Sequence, residues 1–232
     1  QAKEPFMAKK ILVVEDEASL AKILKFDLET AGFLVKTASN GLEAYRLTQK
    51  ESFDCLVIDW MMPTMNGVDL IKKLRAEKNR ALFVMLTAKT SEFDAIESLG
   101  SGADLYLKKP ISNRELIAQI KALLGHFKED KNEDGELLTY GDVTLNLKLY
   151  KVTIKQKEVE LTKMEFDLLK FFVINKEHAL SRDAILNSIW GFNYDGTTRI
   201  VDVHVYNLKK KLAASQCYFK PVRGVGYCLL IK

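Results

Sequence analysis

The sequence predicts an α/β chain: a doubly wound five-stranded parallel sheet, followed by a smaller α+β unit of short strands and three helices. Three observations carry this. Short apolar runs alternate with helix-period stretches through the first half, the pattern of a parallel sheet covered on both faces. A charged segment almost without apolar residues then interrupts the pattern. Beyond it come short alternating strands, amphipathic stretches and a terminal hairpin.

The apolar runs lie at 11–14, 34–38, 56–58, 82–86 and 105–107. They are β-branched and apolar, as strands buried on both faces require. Amphipathic stretches lie between and after them, near 18–31, 41–50, 67–77, 91–99 and 112–124. Asn40 with Glu43, and Ser112 with Glu115, mark two helix starts, pairing an N-cap residue with an acid three positions later. Residues 126–136, HFKEDKNEDGE, read as a linker. Strands are expected near 137–146 and 150–161, helices near 163–174, 182–189 and 198–213, and a hairpin over 218–231 turned through Gly224-Val225-Gly226. Thr162 with Glu165 forms another capping pair. The domain boundaries are therefore 7–125, 126–136 and 137–232. Residues 1–6, ahead of Met7, read as an appended segment outside the fold.

Composition excludes several classes. No run approaches the roughly 18 apolar residues of a membrane span, and the expected location is the cytoplasm. Cys55, Cys217 and Cys228 sit in or beside apolar runs without metal-type spacing, so they read as free core thiols. Trp190 reads as core. The net charge of +4 divides into +1 for residues 7–125, −3 for 126–136 and +6 for 137–232. The basic excess thus lies in the C-terminal unit, where a polyanion is the expected partner.

Polar residues stand where the predicted strands end: Glu15 and Asp16, Asp59, Thr87, and Lys109. In an open parallel sheet, ligands bind at the carboxyl ends of the strands, where strand order reverses. Three clustered carboxylates repel one another unless protons or a cation intervene. Oxygen donors without His or Cys suit a hard ion, Mg²⁺ above all. A carboxylate can also attack phosphorus to give an acyl phosphate. Lys109 and Mg²⁺ would offset charge on the phosphoryl oxygens, and Thr87 would donate a hydrogen bond.

The blocks ILVVEDE, FDCLVIDWMMPTMNG, VMLTAK and ADLYLKKP resemble the signature of bacterial response-regulator receiver domains, a flavodoxin-like fold, across residues 9–125. That resemblance implies Asp59 as phosphoacceptor. It implies Asp16 and Asp59 as direct Mg²⁺ ligands, Glu15 acting through water, and a further ligand in the backbone carbonyl of Met61. It also implies Thr87 and Tyr106 as a switch pair, a hydroxyl that moves toward phosphate and a ring that follows it inward. The sequence departs from the pattern at Glu15, where many members have Asp, and at Trp60, where an aliphatic residue is usual. Ala95, Leu105 and Gln119 replace charged residues that many relatives use to dimerise. A homodimer on phosphorylation is still expected, held by apolar contacts of the 91–124 region.

In TTRIVDVHVYNLKKKL, residues Val201, Val205, Leu208 and Leu212 form one helical stripe. The opposite face carries Arg199, Val203, Tyr206, Asn207 and Lys210, flanked by His204, Lys209 and Lys211. Such a helix suits a DNA major groove: the cations meet phosphates, Asn207 an adenine edge, Val203 a thymine methyl. Residues 137–232 resemble the winged helix-turn-helix effector domain of OmpR/PhoB-type response regulators, through LTKMEFDLLKFFVINKEHALSRDAIL, the IW before Gly191, TTRIVDVHVYNLKKKL and VRGVGYCL. The resemblance implies 198–212 as recognition helix, 182–189 as the preceding helix and 190–197 as a turn for partner contacts, with RNA polymerase a candidate partner. It places Arg223 on the wing, and it implies double-stranded DNA with tandem half-sites and a sensor histidine kinase as partners. Tyr206 and Asn207 stand where many relatives carry Arg, so the operator is this chain's own.

Two other readings compete. An aspartyl-phosphate phosphatase would share Mg²⁺ and an Asp nucleophile, but typically carries a second Asp two residues later, where this chain has Met61. The chain is therefore expected not to be a turnover enzyme, only to lose its own phosphoryl group slowly. The departures at 95, 105 and 119 leave open a DNA-binding role independent of phosphate, although the complete acidic set argues against it.

Overall fold

The computed structural model describes residues 8–88, 101–126, 137–191 and 198–232. The chain separates into two compact units, residues 1–120 and 121–232. The helix expected at 91–99, most of the linker and most of the 190–197 turn lie outside the described residues.

In the first unit, β1 (Lys10–Val14), β2 (Leu34–Ala38), β3 (Cys55–Asp59), β4 (Leu82–Thr87) and β5 (Leu105–Lys108) pair in parallel, in the order β2-β1-β3-β4-β5. The crossovers carry α1 (Ala18–Thr30), α2 (Gly41–Thr48) and α3 (Gly67–Ala76), and α4 (Asn113–His126) follows the last strand. Central strands explain the apolar runs: Ile11–Val14, Leu56–Ile58 and Leu82–Leu86 are buried on both faces. Each fully buried Leu, Ile or Val contributes about 1.5–3 kcal/mol relative to exposure. Strand β2 lies at the sheet edge and alternates instead, with Leu34 and Lys36 exposed and Val35 and Ala38 buried.

The chain lays down β1 and β2, then returns past β1 to place β3. Strand order therefore reverses between β1 and β3, which fixes where a ligand crevice opens. Gly67 lets α3 begin there, since a Cβ at this position would stand 2.5 Å from the Asp59 carbonyl oxygen.

Helix caps set the register of the layers. Asn40 accepts from the Glu43 amide at 2.9 Å. The Glu43 carboxylate reaches the Ser39 amide at 2.7 Å rather than that of Asn40, so this cap is shared by two residues. Asn66 caps α3 by accepting from the Asp69 amide.

The second unit holds two antiparallel sheets. One has the order β6-β7-β8-β9, from β6 (Leu137–Tyr140), β7 (Val143–Asn146), β8 (Lys151–Ile154) and β9 (Lys157–Val159). The strands expected at 137–146 and 150–161 are thus two hairpins. Gly141 at φ 58° turns the first, and Lys155 and Gln156 at φ 49° and 67° turn the second. The other sheet has the order β10-β12-β11, from β10 (Leu180–Ser181), β11 (Cys217–Val222) and β12 (Gly226–Ile231). Against these pack α5 (Lys163–Ile174), α6 (Arg182–Ile189) and α7 (Arg199–Lys211). Thr162 and Glu165 complete the reciprocal cap of α5. Trp190 is buried, and Phe172 meets Phe219 edge-on at 4.9 Å. The three cysteines are free and buried. Among the described residues, no helix is long and apolar enough to cross a membrane.

Candidate functional site

Four strand ends converge at the reversal point. Glu15 and Asp16 follow β1, Asp59 ends β3, Thr87 ends β4 and Lys109 follows β5. One carboxylate oxygen from each of Glu15, Asp16 and Asp59 lies within 4.8 Å of the others. Lys109 Nζ stands 3.0 Å from Asp59 Oδ1 and 3.1 Å from Glu15 Oε2. Its own amide donates to the Thr87 carbonyl at 2.7 Å, which ties the two strand ends together.

Exposure divides the three acids. Glu15 is buried, the Asp59 side chain is 13% exposed, and Asp16 faces solvent. Burial raises the Glu15 pKa; the hydrogen bond and charge of Lys109 oppose the rise, and Asp59 adds to it. Burial works to lower the Lys109 pKa, but its bonds to Asp59 and Glu15 outweigh this, so the ammonium is held more firmly than usual. The donor set is all oxygen, with a carboxylate open to solvent, and fits a hard divalent ion that keeps several waters.

Met61 lies two residues past Asp59, in the loop before α3, and the residue is 66% exposed. Thr87 is buried, as is the Tyr106 ring on β5. Burial pushes the Tyr106 phenol up, with Ser101 partly opposing.

In the second unit, α7 buries Val201, Val205 and Leu208, and Leu212 follows them into the core. Arg199, Tyr206, Lys209 and Lys210 are exposed, and Val203 and Asn207 half-exposed. Lys210 Nζ sits 4.4 Å from the Tyr206 ring centroid, a cation–π contact one helical turn apart. Arg223 is exposed in the turn between β11 and β12.

His204 does not lie beside the outward face as expected, and Lys211, although exposed, is engaged within the unit. His204 is buried, its ring centroid 5.2 Å from that of Trp190. One hundred degrees per residue puts it beside Val201 and Leu208, so it packs the core and presents no edge to DNA. Lys211 turns back to Glu165 Oε2 at 2.5 Å and so serves the α5 cap. Residue-by-residue reading also missed Asp202. Its Oδ1 accepts from Arg182 Nε at 2.9 Å and from the Tyr227 hydroxyl at 2.6 Å. Those partners stand 20 and 25 residues away, and no local spacing signals them.

Comparison with known proteins follows the same division. The family described as "Response regulator receiver domain" matches residues 11–121, and "Transcriptional regulatory protein, C terminal" matches residues 156–229. The alkaline phosphatase synthesis transcriptional regulatory protein PhoP of Bacillus subtilis is 40% identical over 233 residues, covering 96% of this chain and 97% of PhoP. The chain belongs to the OmpR/PhoB-type response regulators. ArlR of Staphylococcus aureus is 34% identical, covering 94% of this chain and 98% of ArlR. Among solved structures, a RitR mutant aligns with a TM-score of 0.74 at 27% identity, over 97% of this chain and 100% of that one. DrrB of Thermotoga maritima, an OmpR/PhoB homolog, aligns with a TM-score of 0.51 at 27% identity, over 96% and 99%.

As a response regulator, the chain pairs a receiver fold with a winged-helix DNA-binding fold in phosphorylation-dependent regulation of transcription, with a histidine kinase as partner. Response regulators of this kind are in general transcription factors rather than enzymes. Of the three positions where the resemblance led charged residues to be expected, Leu105 and Gln119 are buried, while Ala95 lies outside the described residues. Asp104, next to Leu105, is 1% exposed and held by Arg75 Nη2 at 2.6 Å.

Proposed function

We propose that Asp59 accepts the phosphoryl group and that this modification governs DNA binding by the second unit. The observation that carries the reading is the placement of Asp59 at the sheet's reversal point, with Lys109 Nζ at 3.0 Å and two further carboxylates in reach. An Asp59 oxygen attacks the phosphorus of the kinase's phosphohistidine. The O–P bond forms as the N–P bond breaks, and the imidazole leaves. Lys109 stays beside the acceptor and offsets charge on the transferred oxygens, and the Thr87 hydroxyl donates to one of them. Tyr106, buried on β5, is the switch partner of Thr87.

Mg²⁺ would be held by Asp16, Asp59 and the Met61 carbonyl, with Glu15 through water, and would neutralise charge on the phosphoryl group. Water reaching the acyl phosphate then reverses the modification slowly, without turnover. The functional boundaries are 7–125 for the receiver, 126–136 for the linker and 137–232 for the effector.

Arg199, Lys209 and Lys210 contact phosphates, Val203, Tyr206 and Asn207 face base edges, and Arg223 enters an adjacent minor groove. Phosphorylation promotes a receiver dimer, so that two effectors occupy tandem half-sites and joined weak sites become one strong one. RNA polymerase is the partner of the 190–197 turn, and the protein works in the cytoplasm. Incubation with a small phosphodonor and Mg²⁺ adds one base-labile phosphate, read by intact mass, and Asp59→Asn abolishes it. Full modification of that variant would refute the assignment.

A further inference from the structure

We infer that Asp202 is a positioning residue that sets the wing against the DNA-facing helix. The inference rests on the reading that α7 and the β11–β12 turn both meet DNA. Asp202 lies in the first turn of α7. Its Oδ1 gathers two donors from different elements: Arg182, the first residue of α6, at 2.9 Å, and the Tyr227 hydroxyl on β12, at 2.6 Å. The Arg182 guanidinium also stands 5.2 Å from the Tyr227 ring centroid. The three side chains therefore form a closed set, with Arg182 touching both of the others.

The backbone repeats the connection. The Arg182 amide donates to the Val225 carbonyl in the wing turn at 3.2 Å. Ser181 pairs with Gly226 and Leu180 with Tyr227. A Cβ at Gly226 would stand 2.1 Å from the Leu180 carbonyl oxygen, so the wing strand lies as close to β10 as glycine permits. Arg223 is three residues from Gly226, on the turn this network anchors.

Charge makes the assignment testable. An acid on a helix beside DNA repels phosphates, so a bystander Asp202 would weaken binding and its removal would tighten it. A positioning Asp202 acts oppositely: its removal lets the wing drift and costs the Arg223 contact. A third role, direct acceptance of a hydrogen bond from a cytosine amino group, would alter preference at one base pair.

The full chain and a duplex selected by it from a random-sequence pool supply the test. Affinity is measured by fluorescence anisotropy across a salt series for Arg223→Ala, Asp202→Ala, their double variant, Asp202→Asn and Tyr227→Phe. Arg223→Ala and Asp202→Ala should each weaken binding about ten-fold and lower the salt slope by about one unit. The double variant should bind no worse than Arg223→Ala alone, because both remove the same contact. Asp202→Asn keeps an oxygen acceptor and should recover part of the loss. Tyr227→Phe deletes one hydroxyl, leaves the packing in place, and should fall between wild type and Asp202→Ala.

Additive losses in the double variant, tighter binding by Asp202→Ala, or a changed preference at a single base pair with the Arg223 contribution intact would overturn the inference. Wild-type affinity in Arg223→Ala would instead remove the wing reading itself, and the inference with it.

Discussion

Asp167 sits in the middle of α5, between the buried side chains of Phe166 and Leu168. Its Oδ2 is buried and has no hydrogen-bond partner among the described residues. Burial raises its pKa from 3.8 to about 7, against the charges of Lys170 and Lys163. A folded-state carboxyl pKa above the unfolded value means that the folded chain binds the extra proton. Stability is then full below pH 3.8, falls as pH rises toward about 7, and levels off above that. Three units at about 1.4 kcal/mol each give an upper bound near 4 kcal/mol, and water entry and relaxation reduce it to about 2–4 kcal/mol. Asp167→Asn keeps the shape and removes the titration. Any fixed cost of burying the amide shifts both ends of the pH range equally, so the pH dependence is the readout. Chemical denaturation of the full chain, in the transition that this variant shifts, should show a gain over wild type that grows by about 2–4 kcal/mol between pH near 4 and pH near 8. A difference that stays flat, or that shrinks as pH rises, would refute the reasoning.

Other consequences follow from the same contacts. Asp16→Ala removes the solvent-facing carboxylate of the acid cluster, so Mg²⁺ should bind more weakly and phosphorylation from a small donor at low Mg²⁺ should nearly vanish, as titration and intact mass will show. Lys210→Ala should weaken binding to all duplexes and lower the salt slope by about one unit, whereas Asn207→Ala should relax preference at one base pair and cost about 1–3 kcal/mol on the best site. Equal losses on selected and random duplexes for Asn207→Ala would contradict base reading. Asp104 is 1% exposed and depends on Arg75, so Arg75→Ala should destabilise the receiver by about 3–5 kcal/mol in denaturant unfolding.

The receiver was legible because its signals are local. Apolar runs of three to five residues, each followed by a polar residue, located the central strands and placed Glu15, Asp59 and Thr87 at their carboxyl ends before any geometry was known. Capping pairs such as Thr162 and Glu165 worked for the same reason, since both partners lie within one turn. Long-range partners were invisible. Nothing near Arg75 announces Asp104, and nothing near Asp202 announces Arg182 or Tyr227. The turn of the second hairpin in the four-stranded sheet was not legible, because it runs through Lys155 and Gln156, which lack the glycine that usually marks a left-handed turn. His204 was placed outward by its chemistry, although its helical phase beside Val201 and Leu208 already put it inside. Lys211 shows the converse: its outward phase was right, and Glu165, 46 residues away, still captures it.

The central claim is that Asp59 phosphorylation controls DNA binding, and it can be tested in one titration. The full chain and Asp59→Asn are each titrated against a duplex selected from a random-sequence pool, with Mg²⁺, with and without a small phosphodonor. The account predicts that the donor tightens binding by the full chain and leaves Asp59→Asn unchanged. Equal tightening of both proteins, or none in a chain that intact mass shows to be fully phosphorylated, would contradict it.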